Sequence, residues 1–212
     1  MLLSYLFQDP MMFVVWILAI LYALSVHEAS HALGGLVMGD DTAMRQGRLT
    51  FNPLVHIDVF GFVMLILAGF GWGKPVPFNP YNLRNQKWGP AIVAIFGPLA
   101  NFLSVAVFIL VMKVLVGFTS LGAENMLIQF LFALIMVNTV LLVFNLIPIP
   151  PLDGSKILFA VLPAEYNNFK TSLAKQGPFL LLGLILVDRI LPISILGNLF
   201  GVALSVVMRF VG

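Results

Sequence analysis

The sequence predicts an all-α polytopic membrane protein, with about five to six transmembrane or re-entrant helical segments and a short β element after the first long one. Three observations carry this. Hydrophobic residues fill 60% of the 212 positions and charged residues only 9%, against about 25% charged in a soluble domain. Several apolar runs approach ~20 residues, the length that crosses a hydrocarbon core. Between them lie polar breaks rich in the Pro and Gly that end helices.

Met1 to Gln8 lacks the positive charge of a signal peptide and reads as retained structure. Met11 to about Val37 is the first long apolar run, interrupted towards its end by Ser25, His27, Glu28, Ser30 and His31. A polar stretch follows, in which Arg45 to Phe51 predicts the short strand and Asn52-Pro53 a turn. Phe60 to Phe70 is apolar but about half a membrane thick, so it predicts a re-entrant or partial span. The Gly71 to Pro80 segment, with its prolines and glycines, excludes a helix. Pro90 to Val116 and Met126 to Leu146 predict two further spans. Asn145 to Gly154 breaks the pattern with Pro148, Pro150 and Pro151, and Ser155 to Lys175 is amphipathic and interfacial. Phe179 to Leu191 and Ile193 to Val211 predict a closing helical hairpin that pivots at Pro192. With no internal repeat and no Gly/Ser linker, residues 1–212 read as one integral-membrane domain.

A net charge of +2, scattered along the chain, gives no basis for nucleic-acid binding. The absence of cysteine excludes a disulfide framework and restricts any metal site to His, Asp or Glu. Lys and Arg gather in the 40–89 and 153–176 regions and are absent from Gly117 to Asn125. The positive-inside rule then places the N-terminus outside and both basic regions in the cytoplasm. On that topology the His-containing end of the first span meets the Pro-rich break before Asp153 on the cytoplasmic side.

His27-Glu28-Ala29-Ser30-His31 is a HExxH sequence inside an apolar helix. Residues four apart share a helix face, so both imidazoles can reach one ion, with Glu28 beside them as a proton acceptor. Ionisable residues inside a membrane helix are costly and usually functional. A catalytic zinc has three protein ligands and an open position. The third is His56, the one other histidine, or a carboxylate, of which Asp153 is the best placed. Asp153 equally suits the N-cap of the next helix. His56 also reads as a structural histidine in a turn, paired with Asp58, while Asp58 itself suits a helix cap.

Two signatures, His27-Glu28-Ala29-Ser30-His31 and Asn145-Leu146-Ile147-Pro148-Ile149-Pro150-Pro151-Leu152-Asp153-Gly154, resemble those of the site-2 protease family of intramembrane zinc metalloproteases. The second matches each named position of the family form N-x-x-P-x-P-x-L-D-G. Gly97-Pro98-Leu99-Ala100-Asn101 resembles the family's G-x-x-x-N element. The resemblance covers about residues 11–160, which would be the catalytic core, leaving about 177–212 as the closing hairpin. It describes a minimal member, without a PDZ or CBS domain.

The resemblance implies that His27, His31 and Asp153 hold one Zn2+ per chain, that Glu28 is the general base, and that Asn145 orients the substrate or stabilises a developing oxyanion. Its substrates would be single-span transmembrane proteins cut within the bilayer, in a prokaryotic plasma membrane. The strand near residues 45–51 would hold an unwound substrate by edge pairing. Two rivals are a zinc-dependent scaffold that does not cut and a metal transporter. A single compact cluster without an inverted repeat speaks against the transporter. Oligomeric state is open.

Overall fold

The computed structural model describes residues 2–190 and 194–211. A short helix, α1 (Leu2–Gln8), leads into α2 (Pro10–Val37). Asp9 caps α2 by accepting from Met12 N at 3.1 Å, and Pro10 occupies the first turn, where a missing N–H costs nothing. The helix ends where Gly34 and Gly35 weaken it, and Gly39 turns the chain in the left-handed region at φ 98°. Three small elements follow: α3 (Thr42–Arg45), a 3-10 turn over Pro53–Val55, and the ten-residue α4 (Val59–Ala68). Asp58 caps α4 through Gly61 N at 2.8 Å.

The two remaining long apolar helices are α5 (Gly89–Phe118) and α6 (Met126–Asn145). Then come α7 (Asp153–Val161), α8 (Asn167–Ile190) and α9 (Ile195–Val211). By length and composition α2, α5 and α6 can each cross a membrane, and α8 with α9 makes a fourth candidate if the pair is taken as one bent unit. This is an integral membrane protein. Many large apolar side chains on these helices face outward, such as Phe102, Leu110 and Phe118 on α5, as suits a surface solvated by lipid.

The helices α2, α5 and α6 pack against one another as a trio. One end of it is apolar: Val15, Ala19, Val105, Met112, Ile128 and Leu131 form the buried cluster. The other end is polar and holds Ser25, His27, His31, Asn101, Asn138 and Thr139. The chain beyond α6 folds α7 against α5, and α9 packs on α6. Arg189 of α8 donates to the carbonyl of Ala68 at the end of α4, tying α8 to the short helix.

The spans begin and end close to the predicted residues. The predicted short β element is not there: no strand forms among the described residues, and one isolated antiparallel bridge joins Ile57 and Gly73. The reason lies in how residues 42–48 fold. Residues 42–45 wind into a helical turn, and Arg48 N closes back on Ala43 O at 2.9 Å. Gly47 sits at φ 69°, outside the β region, and Arg48 turns inward to donate to the carbonyl of Lys74. Edge pairing of a substrate by residues 45–51 therefore has no extended backbone to work with. The amphipathic stretch from Ser155 falls in α7 and the first part of α8, separated where Leu162-Pro163 ends α7. The pivot at Pro192 lies outside the described residues.

Candidate metal centre

Three side chains that are far apart in sequence meet at the polar end of the trio. His27 and His31 leave α2 one turn apart, and Asp153 enters from the first residue of α7. His27 Nε2 lies 3.0 Å from His31 Nε2 and 3.3 Å from Asp153 Oδ2, and His31 Nε2 lies 2.9 Å from Asp153 Oδ2. All three residues are buried. Among the described residues this is the group of His and carboxylate side chains whose donor atoms converge closely enough to share an ion.

Glycines make the approach possible. A Cβ on Gly97 of α5 would stand 2.4 Å from His31 Nε2 and 2.7 Å from His27 Cε1, so the imidazoles lie against bare backbone. A Cβ on Gly154 would stand 2.2 Å from the carbonyl oxygen of Leu146. The Pro-rich loop can therefore fold back tightly enough to present Asp153. Asp153 makes no capping hydrogen bond, and Leu152 occupies the cap position of α7. The carboxylate is spent on the histidines and on Lys156 Nζ, 3.1 Å from Oδ1.

Each donor is held from behind. His27 Nδ1 meets Asn101 Oδ1 at 2.6 Å, and His31 Nδ1 meets the carbonyl of Val93 at 2.9 Å. Both partners are oxygens that accept, so both Nδ1 atoms carry protons. In the neutral imidazoles this leaves two Nε2 lone pairs and a carboxylate oxygen facing one another with no hydrogen between them. Such a triangle of acceptors is repulsive unless a cation or added protons sit among them. Where the imidazoles take up added protons instead of sharing an ion, they and Lys156 outweigh the burial that raises the Asp153 carboxyl and hold it below the ordinary carboxylate range. A tetrahedral zinc with ligands at about 2.0–2.1 Å requires donor atoms roughly 3.3 Å apart. The observed spacings, the N/N/O donor set and the backing hydrogen bonds all fit that ion.

Glu28 and Asn145 do not join the triangle. They line a cavity of about 500 Å³ that also reaches His27, walled by apolar residues including Leu24, Leu65, Trp72, Val140 and Phe144. Asn145 Nδ2 donates to the carbonyl of Leu141 at 3.0 Å, which leaves its second N–H for another acceptor. Arg48 is buried beside this region. Burial lowers its pKa, and the nearby charge of Glu28 opposes the shift.

His56, the other candidate ligand, is fully buried away from the triangle, with Nε2 donating to the carbonyl of Thr50 at 2.8 Å. The expected pairing with Asp58 does not form, because Asp58 caps α4 instead. Two residues escaped the sequence reading: Lys156 on Asp153, and Asn138, whose Oδ1 accepts from Asn101 Nδ2 at 2.8 Å. An asparagine in the middle of an apolar span was the available signal for the second.

Comparison with known proteins gives a consistent picture. Residues 15–185 match the family model described as peptidase family M50. The chain is 36% identical to YwhC of Bacillus subtilis over 164 residues, which is 76% of this chain and 75% of YwhC. It is 30% identical to Rip2 of Mycolicibacterium smegmatis over 185 residues, 82% of this chain and 67% of Rip2. Both relatives carry the words zinc metalloprotease in their names. No solved structure matches.

Proposed function

The chain belongs to peptidase family M50, the site-2 protease family of zinc metalloproteases, and from that premise we propose that it hydrolyses peptide bonds within the transmembrane segments of other membrane proteins. The observation that carries this reading is the cavity. Glu28, His27 and Asn145 open onto a space whose other walls are apolar and come chiefly from α2 and α6, both long enough to span a membrane, and from α4 with the loop after it. A polar peptide gains nothing by entering such a space, whereas an apolar segment already in the bilayer gives up little.

His27, His31 and Asp153 are the residues that would hold one Zn2+. When bound there, zinc lowers the pKa of a water towards about 7 and polarises a carbonyl. The protein's own groups do the rest. The substrate enters unwound, since the carbonyls of an intact helix are already hydrogen-bonded. The free N–H of Asn145 Nδ2 donates to the substrate carbonyl oxygen, orienting it and stabilising the charge that develops there. The Glu28 carboxylate takes a proton from the attacking water and returns it to the leaving amine nitrogen. The apolar walls keep bulk water from the bond being cut. The clustering of Lys and Arg supports an orientation with the site towards the cytoplasmic face. Bacterial relatives make a bacterial plasma membrane the natural location.

The test is cleavage of a tagged single-span protein co-reconstituted in vesicles, comparing wild type with Glu28→Gln at matched zinc content. Zinc-dependent cleavage inside the span, lost in the variant, is the expected result. Turnover of water-soluble peptides with the span left intact would overturn the intramembrane assignment, and full activity in Glu28→Gln would overturn the role of Glu28.

A further inference from the structure

Asn101 on α5 and Asn138 on α6 are both 0% exposed, in the middle of helices apolar enough to cross a membrane. Buried amides at such positions are costly unless their polar atoms are paired. Here every pairing also dictates an orientation. Asn138 Nδ2 donates to the carbonyl of Leu134, one turn back on α6, at 2.7 Å. A carbonyl only accepts, so Asn138 must turn its Oδ1 towards Asn101. Asn101 Nδ2 meets that oxygen at 2.8 Å and the carbonyl of Ala23 on α2 at 3.3 Å. Both are acceptors, which fixes Asn101 with its own Oδ1 on His27 Nδ1 at 2.6 Å. The His27 proton is thereby held on Nδ1, and the Nε2 lone pair faces His31 and Asp153.

We propose that Asn138 is a positioning residue for the metal: acting through Asn101, it sets the tautomer and ring angle of His27 from a backbone carbonyl of α6. The inference rests on His27 being a zinc ligand. His31 needs no relay, because a backbone carbonyl, that of Val93, meets its Nδ1 directly. Without Asn138, the Asn101 amide keeps only the longer contact to Ala23. It can then turn its NH2 group towards His27, which draws the imidazole proton onto Nε2, the atom that must be bare. Partners of this kind are worth about 10- to 100-fold in metal affinity.

The experiment measures zinc affinity by chelator competition on the full-length protein in detergent, together with the visible absorption of the Co2+-substituted form. Asn138→Leu is expected to weaken zinc binding about tenfold and to shift the Co2+ bands, with Asn138→Ala in parallel as the variant that adds no bulk. Asn138→Asp should restore both readings, since a buried acid stays protonated and can donate to Leu134 while accepting from Asn101. Asn101→Ala removes the middle member of the relay and should itself weaken zinc binding. In that background Asn138→Leu should have no further effect, a non-additivity that a packing role does not produce. Wild-type affinity in both Asn138→Leu and Asn138→Ala would overturn the relay. So would an equal loss from Asn138→Leu in the Asn101→Ala background. Wild-type zinc binding in His27→Ala would instead overturn the ligand assignment on which the relay rests.

Discussion

The same three helices build two different interiors. At one end of the trio, Val15, Ala19, Val105, Met112, Ile128 and Leu131 meet through apolar side chains alone. At the other, Gly97 leaves room for the imidazoles, and His27, Asn101 and Asn138 are joined to one another and to the carbonyl of Ala23 by directed hydrogen bonds. In a bilayer the first kind of contact gains little over contact with lipid, so it rests on packing. The second is specific: each polar atom has one acceptable partner, and a wrong arrangement leaves an unpaired group in hydrocarbon. The difference teaches that the apolar end supplies a scaffold tolerant of exchange, while the polar end holds its side chains in one hydrogen-bonded arrangement. Chemistry has been placed where the directed bonds are.

The contrast can be broken in graded steps. The largest effect belongs to Glu28→Gln, which should lower the cleavage rate about 10²- to 10⁴-fold. It should do so with unchanged zinc content and unchanged resistance to unfolding in a detergent titration. Next comes a pair on α5. Gly97→Val should eliminate zinc binding and destabilise by about 1–3 kcal/mol, because its added carbons have no space beside the imidazoles. Gly117→Val, where nothing lies within 4 Å of the new Cβ, should leave zinc content and stability at wild-type values. Leu131→Ala in the apolar end should cost about 2 kcal/mol in the same titration, with zinc content retained; loss of zinc would show that the two ends are coupled.

The smallest effect concerns the loop beside the polar end. Asp40 is buried, which raises its pKa. Bonds from Thr42 Oγ1 and N, Asn79 N and Asn82 Nδ2 outweigh that and hold it below the ordinary value of 3.8. A depressed folded pKa means the stabilisation is fully present above the unfolded value and is lost as pH falls through the folded one. Wild type should therefore weaken on acidification below about pH 4, and Asp40→Asn should show a flatter profile over that window. Identical profiles would remove Asp40 as the cause.

Much of this was legible in the sequence, for physical reasons that can be named. The long helices end where Asn, Pro and Gly bound uninterrupted apolar runs, so the boundaries of α5 and α6 fall within two residues of expectation. The His27/His31 pair follows from helix geometry alone. The third donor does not: choosing between Asp153 and His56 needs the fold of a loop, and here Gly154 and the prolines decide it. The missing strand was illegible because Arg48 finds its partner 26 positions away, on Lys74. Asn138 stands out as an amide in an apolar span, but its role was illegible for the same reason, since its orientation matters through Asn101, 37 positions earlier, and then His27.

The order of the donors along the chain has a consequence for synthesis. His27, Glu28 and His31 leave the ribosome early, and Asp153 follows only after α5 and α6 have been made. At ordinary translation speeds that interval is on the order of ten seconds. Throughout it the nascent chain carries His27, Glu28 and His31 but lacks the carboxylate that closes the triangle. The polypeptide is thus built so that its donor triangle can close only after α2, α5 and α6 have all been made.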